Sequence, residues 1–179
     1  IKEKFFSLDD LLGGRSRWSG HFRDGDYAVF RLTPEKYHWS HCPVSGTVTD
    51  FYEIGGIYNS CNPAAVVSVE NAFSRNRRAV TVINTDVKGG TGCGFVAMIE
   101  VAALMIGGIN QSYCRELYDG AVGMEPGIFL RRGQPKSHYS PGSSVDILIF
   151  EKERIVFSPD IIKNLRNPVA KSRFSEFFG

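Results

Sequence analysis

Glycine interrupts this sequence so often that no long helix can run through it. There are 19 glycines, and they cluster at Gly13-Gly14, Gly55-Gly56, Gly89-Gly90, Gly92 and Gly107-Gly108. Between them lie short runs rich in Val, Ile, Thr, Tyr and Phe. Residues without a Cβ turn at little steric cost, and β-branched or aromatic residues suit a pleated surface. The pattern therefore predicts short antiparallel strands joined by tight turns. Strands are expected at 27–32, 47–54, 79–85, 95–101, 109–117 and 144–150, with a hairpin about Glu151-Lys152 returning through 153–157. Ser7 caps a short helix that ends at Gly13-Gly14, with Asp10 at the capping-box position. Thr33-Pro34-Glu35 opens a helical turn that should carry Tyr37, His38 and His41, and Ser158-Pro159-Asp160 opens another through Leu165. The expected fold is a single α+β, β-rich domain of short antiparallel strands, with a barrel-sandwich-like core and two or three short helices.

Composition narrows the function classes. With 179 residues the chain suits one domain with a real core. A hydrophobic share of 42% and a charged share of 22% exclude disorder and coiled coil as whole-chain readings. The net charge of +2 gives no electrostatic footprint for nucleic acid. The longest apolar stretch, 99–109, is broken by Glu100 and too short to span a bilayer. A cytoplasmic location is expected, with peripheral contact at a membrane surface through Arg173, Phe174, Phe177 and Phe178 as the alternative to a loose tail. Because the first residue is Ile1, a fragment or processed form is expected. Cys42, Cys61, Cys93 and Cys114 form no C-x-x-C pair, which predicts buried free thiols and no metal site.

Three short stretches can carry chemistry. Gly142-Ser143-Ser144 precedes an apolar strand. As structure it is a turn. As chemistry, the Ser143 hydroxyl can attack the Gly142 carbonyl and convert the amide to an ester, an approach eased by the missing Cβ. Elimination and hydrolysis would then leave a pyruvoyl ketone at residue 143, an electron sink. In Tyr37-His38-Trp39-Ser40-His41, two imidazoles three apart would share a helical face and exchange protons near neutrality. Asn76-Arg77-Arg78 is either an anion site or, by default, a solvated charge cluster. Asn62-Pro63-Ala64 reads as a turn.

Taken together and in order, these stretches resemble the phosphatidylserine decarboxylase family. The family's arginine-leucine-x-proline…tyrosine-histidine…histidine-x-proline stretch is matched by Arg31-Leu32-Thr33-Pro34-Glu35-Lys36-Tyr37-His38-Trp39-Ser40-His41-Cys42-Pro43. Its asparagine-proline turn, asparagine-x-arginine step and glycine-containing strand are matched by Asn62-Pro63, Asn76-Arg77-Arg78 and 101–109. Its glycine-serine-threonine step is Gly142-Ser143-Ser144 here. The chain departs from the pattern at Lys36, Trp39, Ala102 and Ser144, and none of Asp9, Asp10, Asp24 and Asp26 matches the family's self-cleavage aspartate.

The resemblance implies cleavage between Gly142 and Ser143, giving chains 1–142 and 143–179 that stay partners. It implies a pyruvoyl group made from Ser143, with His41 as the base in self-cleavage and His38 as the proton donor in decarboxylation. The substrate would carry an amine and a carboxylate: phosphatidylserine, or alternatively a soluble, aromatic amino acid. A non-catalytic binding module of the lipoyl-domain type is the rival reading, suggested by the glycine-punctuated stretch 122–134.

Overall fold

The structure, a computed structural model, describes residues 7–32, 37–60, 72–104, 108–140 and 144–166. Nine strands are seen among them: β1 (Tyr27–Leu32), β2 (Trp39–His41), β3 (Gly46–Ile54), β4 (Arg78–Asn84), β5 (Phe95–Ala102), β6 (Ile109–Gln111), β7 (Phe129–Leu130), β8 (Pro135–Tyr139) and β9 (Ser144–Phe150). Four short helices accompany them: α1 (Leu8–Leu11), α2 (Ser16–His21), α3 (Ala72–Arg75) and α4 (Pro159–Arg166). The α+β, β-rich expectation holds.

The strands form two antiparallel sheets. The larger runs β1-β9-β5-β4-β3-β7 and the smaller β2-β8-β6. Strands β4 and β5 are buried along nearly their whole length, on both faces. This explains why they read as continuous apolar runs rather than as alternation. Over one face lie α1 and α2, where Leu11, Leu12, Trp18 and Phe22 pack on Val80, Val82, Ile99 and Ile147. On the other, Ile83, Val96, Tyr113, Met124 and Leu130 form a second core. Each fully buried aliphatic side chain contributes about 2 kcal/mol.

Polar groups tie the helices to the sheet. The Ser7 side chain caps α1 by accepting from the Asp10 amide, as the sequence predicts. A bulge between Val48 and Asp50 inserts one residue into β3 and turns Asp50 toward α2. There it accepts from Trp18 Nε1 at 2.8 Å and Arg15 Nη1 at 3.3 Å. Arg78 is buried, and it donates to the carbonyls of Leu11, Asp10 and Asn76. Asn76, also buried, bridges Asn59 and Ala102. The expected solvated cluster is thus corrected: Asn76 and Arg78 are internal braces, and Arg77 alone faces outward, pairing with Glu53 at 3.0 Å.

Two further expectations change. The hairpin through 153–157 is absent, because β9 already has β1 and β5 on its two edges and no edge remains for a returning strand. The strand expected over 109–117 stops at Gln111; Tyr113 turns inward to bridge Val122, and Tyr118 takes a left-handed backbone (φ 63°). Helix α2 was not foreseen, since its sequence SRWSGH carries neither a side-chain cap nor an apolar period. Cys42, Cys93 and Cys114 are free and buried, as expected. Among the described residues no helix is long and apolar enough to cross a membrane. The Asn62-Pro63-Ala64 turn, Cys61, the Thr33-Pro34-Glu35 cap, Lys36 and the 173–178 tail lie outside the described residues.

Candidate active site

The site is built where the two sheets face each other. Side chains alternate along a strand, so Ser144, Asp146 and Leu148 of β9 share a face. Across the ladder, Ser144 pairs with Ala102, Asp146 with Glu100 and Leu148 with Met98. That face looks toward the small sheet and encloses a cavity of about 400 Å³, lined in part by Ser40, His41, Tyr139, Ser144 and Asp146.

Asp146 is the carboxyl of this cavity. It accepts from Tyr139 Oη at 2.5 Å on Oδ1 and from Ser40 Oγ at 2.6 Å on Oδ2. Burial pushes its pKa up to about 6, and the neighbouring Glu100 charge adds to the rise; the two hydroxyl donors and Lys136 oppose it. Behind it, Glu100 and Lys136 are both fully buried and paired at 2.6 Å. Lys136 also donates to Gln111 Oε1 at 2.7 Å, Gln111 Nε2 donates to Glu100 at 2.8 Å, and Ser137 Oγ donates to the other Glu100 oxygen. Two carboxyls and one ammonium therefore sit together, and the unmatched acid favours a proton on Asp146.

His41 reaches the cavity from β2. Its Nδ1 lies 2.7 Å from the Gly133 carbonyl, which can only accept, so Nδ1 carries the hydrogen. Nε2 is then the acceptor, served by Tyr37 Oη at 2.8 Å. Tyr37 spends its proton on His41, so the Tyr118 hydroxyl, 2.5 Å away, donates to Tyr37. Burial raises the Tyr37 pKa, which keeps its hydroxyl protonated.

The histidine pair does not form as expected. Residues 39–41 are a strand, paired Trp39 to His138 and Ser40 to Ser137, and the His38 carbonyl accepts from the Tyr139 amide at 2.9 Å. Pairing with β8 replaces the helical turn expected to carry Tyr37, His38 and His41, and a register shift between Ser40 and His41 breaks simple alternation there. His41 lines the cavity; His38 is half-buried and is not among its described lining residues. Trp39 lies edge-on to Tyr118 at 5.1 Å and over His138 at 4.9 Å. Gly142 and Ser143 lie outside the described residues, and their described flanks are Ser140, whose amide donates to the Gly108 carbonyl, and Ser144. Sequence reading missed Asp146, Ser40, Tyr139 and the Glu100–Lys136 pair. An Asp in an apolar run two residues after Ser144 was the available signal.

These features define a β-rich domain that holds a buried, titratable carboxyl and a proton-accepting imidazole in one cavity between two sheets, at the start of the strand that follows a Gly-Ser step. The family model for phosphatidylserine decarboxylase matches residues 1–176, and the chain belongs to that family. It is 34% identical over 165 residues to phosphatidylserine decarboxylase proenzyme 2 of Oryza sativa subsp. japonica, covering 92% of this chain and 24% of the relative. It is 28% identical over 169 residues to the phosphatidylserine decarboxylase proenzyme of Fusobacterium nucleatum (94% and 51% covered). With the proenzyme of Coxiella burnetii it shares 33% identity over 165 residues (89% and 56% covered). The chain thus spans about half the length of these bacterial relatives and about a quarter of the rice one.

Proposed function

We propose that this chain is a self-processing decarboxylase domain that converts phosphatidylserine to phosphatidylethanolamine and carbon dioxide. The observation that carries the reading is that β9, which starts directly after Ser143, enters the cavity with Ser144 and Asp146 on the face shared with His41. Family membership and the proenzyme names of the relatives support both the substrate and the processing.

In this reading the Ser143 hydroxyl attacks the Gly142 carbonyl, and the products are chains 1–142 and 143–179. The resemblance makes His41 the base: its Nε2, held as acceptor by the Nδ1–H bond to Gly133, would exchange the Tyr37 hydroxyl for that of Ser143 and take its proton. The cavity suits a pyruvoyl group at residue 143: hydroxyls and a carboxyl stand beside an apolar wall of Phe30, Met98 and Leu148. When formed, that group supplies a ketone that captures the substrate amine and accepts the electrons left by carbon dioxide. The resemblance gives the completing proton to His38. Contact with the bilayer surface would be peripheral, since the substrate is a lipid.

Denaturing electrophoresis and intact mass test the reading. The expected result is two fragments, the shorter bearing 37 residues (143–179) and reacting with a hydrazine. An uncut 19.9 kDa chain, inert to carbonyl reagents, would sink it.

A further inference from the structure

We propose that the tight turn 116–119, with the arginines around it, is where this domain docks on an anionic lipid bilayer. The inference rests on the reading above, because it names the surface through which a lipid substrate is reached. Its first support is a strained turn. The Asp119 amide donates to the Glu116 carbonyl at 2.8 Å, which puts Leu117 and Tyr118 at the two central positions. Tyr118 has φ 63°, at the turn position that glycine or asparagine usually takes. A bulky residue is strained there, so the chain holds this ring in place against the preference of its own backbone. Leu117 is 67% exposed and Tyr118 50%. The second support is what the turn adjoins. Tyr118 Oη lies 2.5 Å from Tyr37 Oη, and the Tyr118 ring stands edge-on to Trp39 at 5.1 Å. Tyr37 is exposed as well, and Trp39 lines the cavity described above. A leucine, two tyrosines and a tryptophan thus form one rim beside the cavity. Rings with one polar edge are the side chains that settle at a bilayer–water boundary.

Charge selects the occupant. Arg115 precedes the turn, and Arg131 and Arg132 lie between β7 and β8. Tyr113 is within electrostatic reach of both Arg115 and Arg131, and its hydroxyl accepts from the Arg131 amide at 3.1 Å. Arg132 lines the cavity, next to the Gly133 carbonyl that holds His41. All three arginines are exposed, and none has a side-chain ion pair among the described residues. Glu116 and Asp119 oppose them, so the local balance is three positive charges against two. Such an arginine gains at a phosphate-rich surface, where its stem lies along the apolar boundary and its guanidinium binds phosphate. A two-fold contact with a second copy would instead bring like charges together. Seated on the bilayer, Trp39 and Arg132 bring the cavity to the layer that holds the substrate.

The test uses the full chain, its Leu117→Glu variant and its Arg115→Gln/Arg131→Gln double variant, all changed at exposed positions outside the described lining of the cavity. The binding probe is vesicles of phosphatidylcholine with phosphatidylglycerol, an anionic lipid that is not the substrate, and cosedimentation reads the affinity. Carbon dioxide release is read separately on phosphatidylserine placed in such vesicles and on a water-soluble short-chain phosphatidylserine. The parent should bind, and more weakly as salt rises. L117E should bind at least ~10-fold more weakly, and the double variant should lose about fivefold per arginine at low salt. Both should turn over the soluble substrate within about twofold of the parent while losing activity on vesicles. A parent that does not sediment with these vesicles, or variants that bind them as tightly as the parent, overturns the inference. Equal loss on soluble and vesicle substrate also counts against it, since it would place these residues in the site itself. A parent that is a dimer in size exclusion, made monomeric by L117E with vesicle affinity unchanged, overturns it in favour of a second copy. A parent that binds vesicles yet releases no carbon dioxide from either substrate overturns the decarboxylase reading and leaves the docking surface standing.

Discussion

At the scale of single residues, the chemistry concentrates on groups whose surroundings set their proton occupancy. Asp146 has a consequence for stability. Its folded-state pKa, about 6, lies above the ordinary carboxylate value of 3.8, so the folded chain binds this proton more tightly than the unfolded chain. Its contribution is fully present below about pH 4 and is lost as pH rises through about 6, a difference of about 3 kcal/mol. Urea unfolding should therefore show the parent losing stability between pH 4.5 and 7.5 relative to D146N, whose side chain does not titrate. Equal pH slopes for the two would show that Asp146 ionises in the folded chain as freely as in water. None of this was legible from the sequence beyond a polar letter in an apolar run. Which face an Asp takes depends on register, and register is fixed by partners far away along the chain.

Among elements, the decisive contact is between the two sheets. The Glu100–Lys136 pair, with Gln111 and Ser137, joins β5 to β8 and β6 in a space sealed from water. Such a pair adds little net stability against an apolar replacement, yet breaking it strands a charge. Lys136→Met should cost about 3–5 kcal/mol in unfolding free energy by denaturant titration, while the double change Lys136→Met with Glu100→Leu should recover most of that loss. A small effect of the single change would mean that water reaches Glu100. Element existence was readable: β1 and β9 fall where glycine and β-branched residues put them, and β3, β4 and β5 within a residue at either end. The His38–His41 segment was not, because a Thr-Pro-Glu cap signal and a three-residue strand compete, and the partner β8 decides. The hairpin after β9 failed for the same kind of reason, since pairing capacity is a property of the sheet and not of the segment.

For the whole molecule, the strand following the Gly142–Ser143 step lies in the interior of the large sheet. Strand β9 pairs with β1 over six residues and with β5 over seven, and Asp146 binds Ser40 and Tyr139, which precede the step. Cleavage would cut the covalent link and leave these ladders in place. The two fragments should therefore elute together at about 20 kDa in native size exclusion, even in high salt, and separate in denaturant. Separation without denaturant would mean that β9 is not held as described. Family and fold class were legible in the sequence as an ordered set of weak motifs; the cavity between the sheets was not, because it is made by residues from β1, β2, β5, β8 and β9 that share no local pattern.

The interior position of β9 would also give the proposed processing a direction in time. A precursor can assemble this strand as an intramolecular event, helped by its tether. If cut at the proposed step, a denatured molecule would have to recruit a separate 37-residue peptide from solution before its central ladder could close, so renaturation would become second order and depend on dilution. On the proposed reading the uncut chain carries the instructions for its own assembly, and maturation would erase them. Shape would then have to come before scission, and a cut molecule that loses its shape would not be expected to regain it at cellular concentrations.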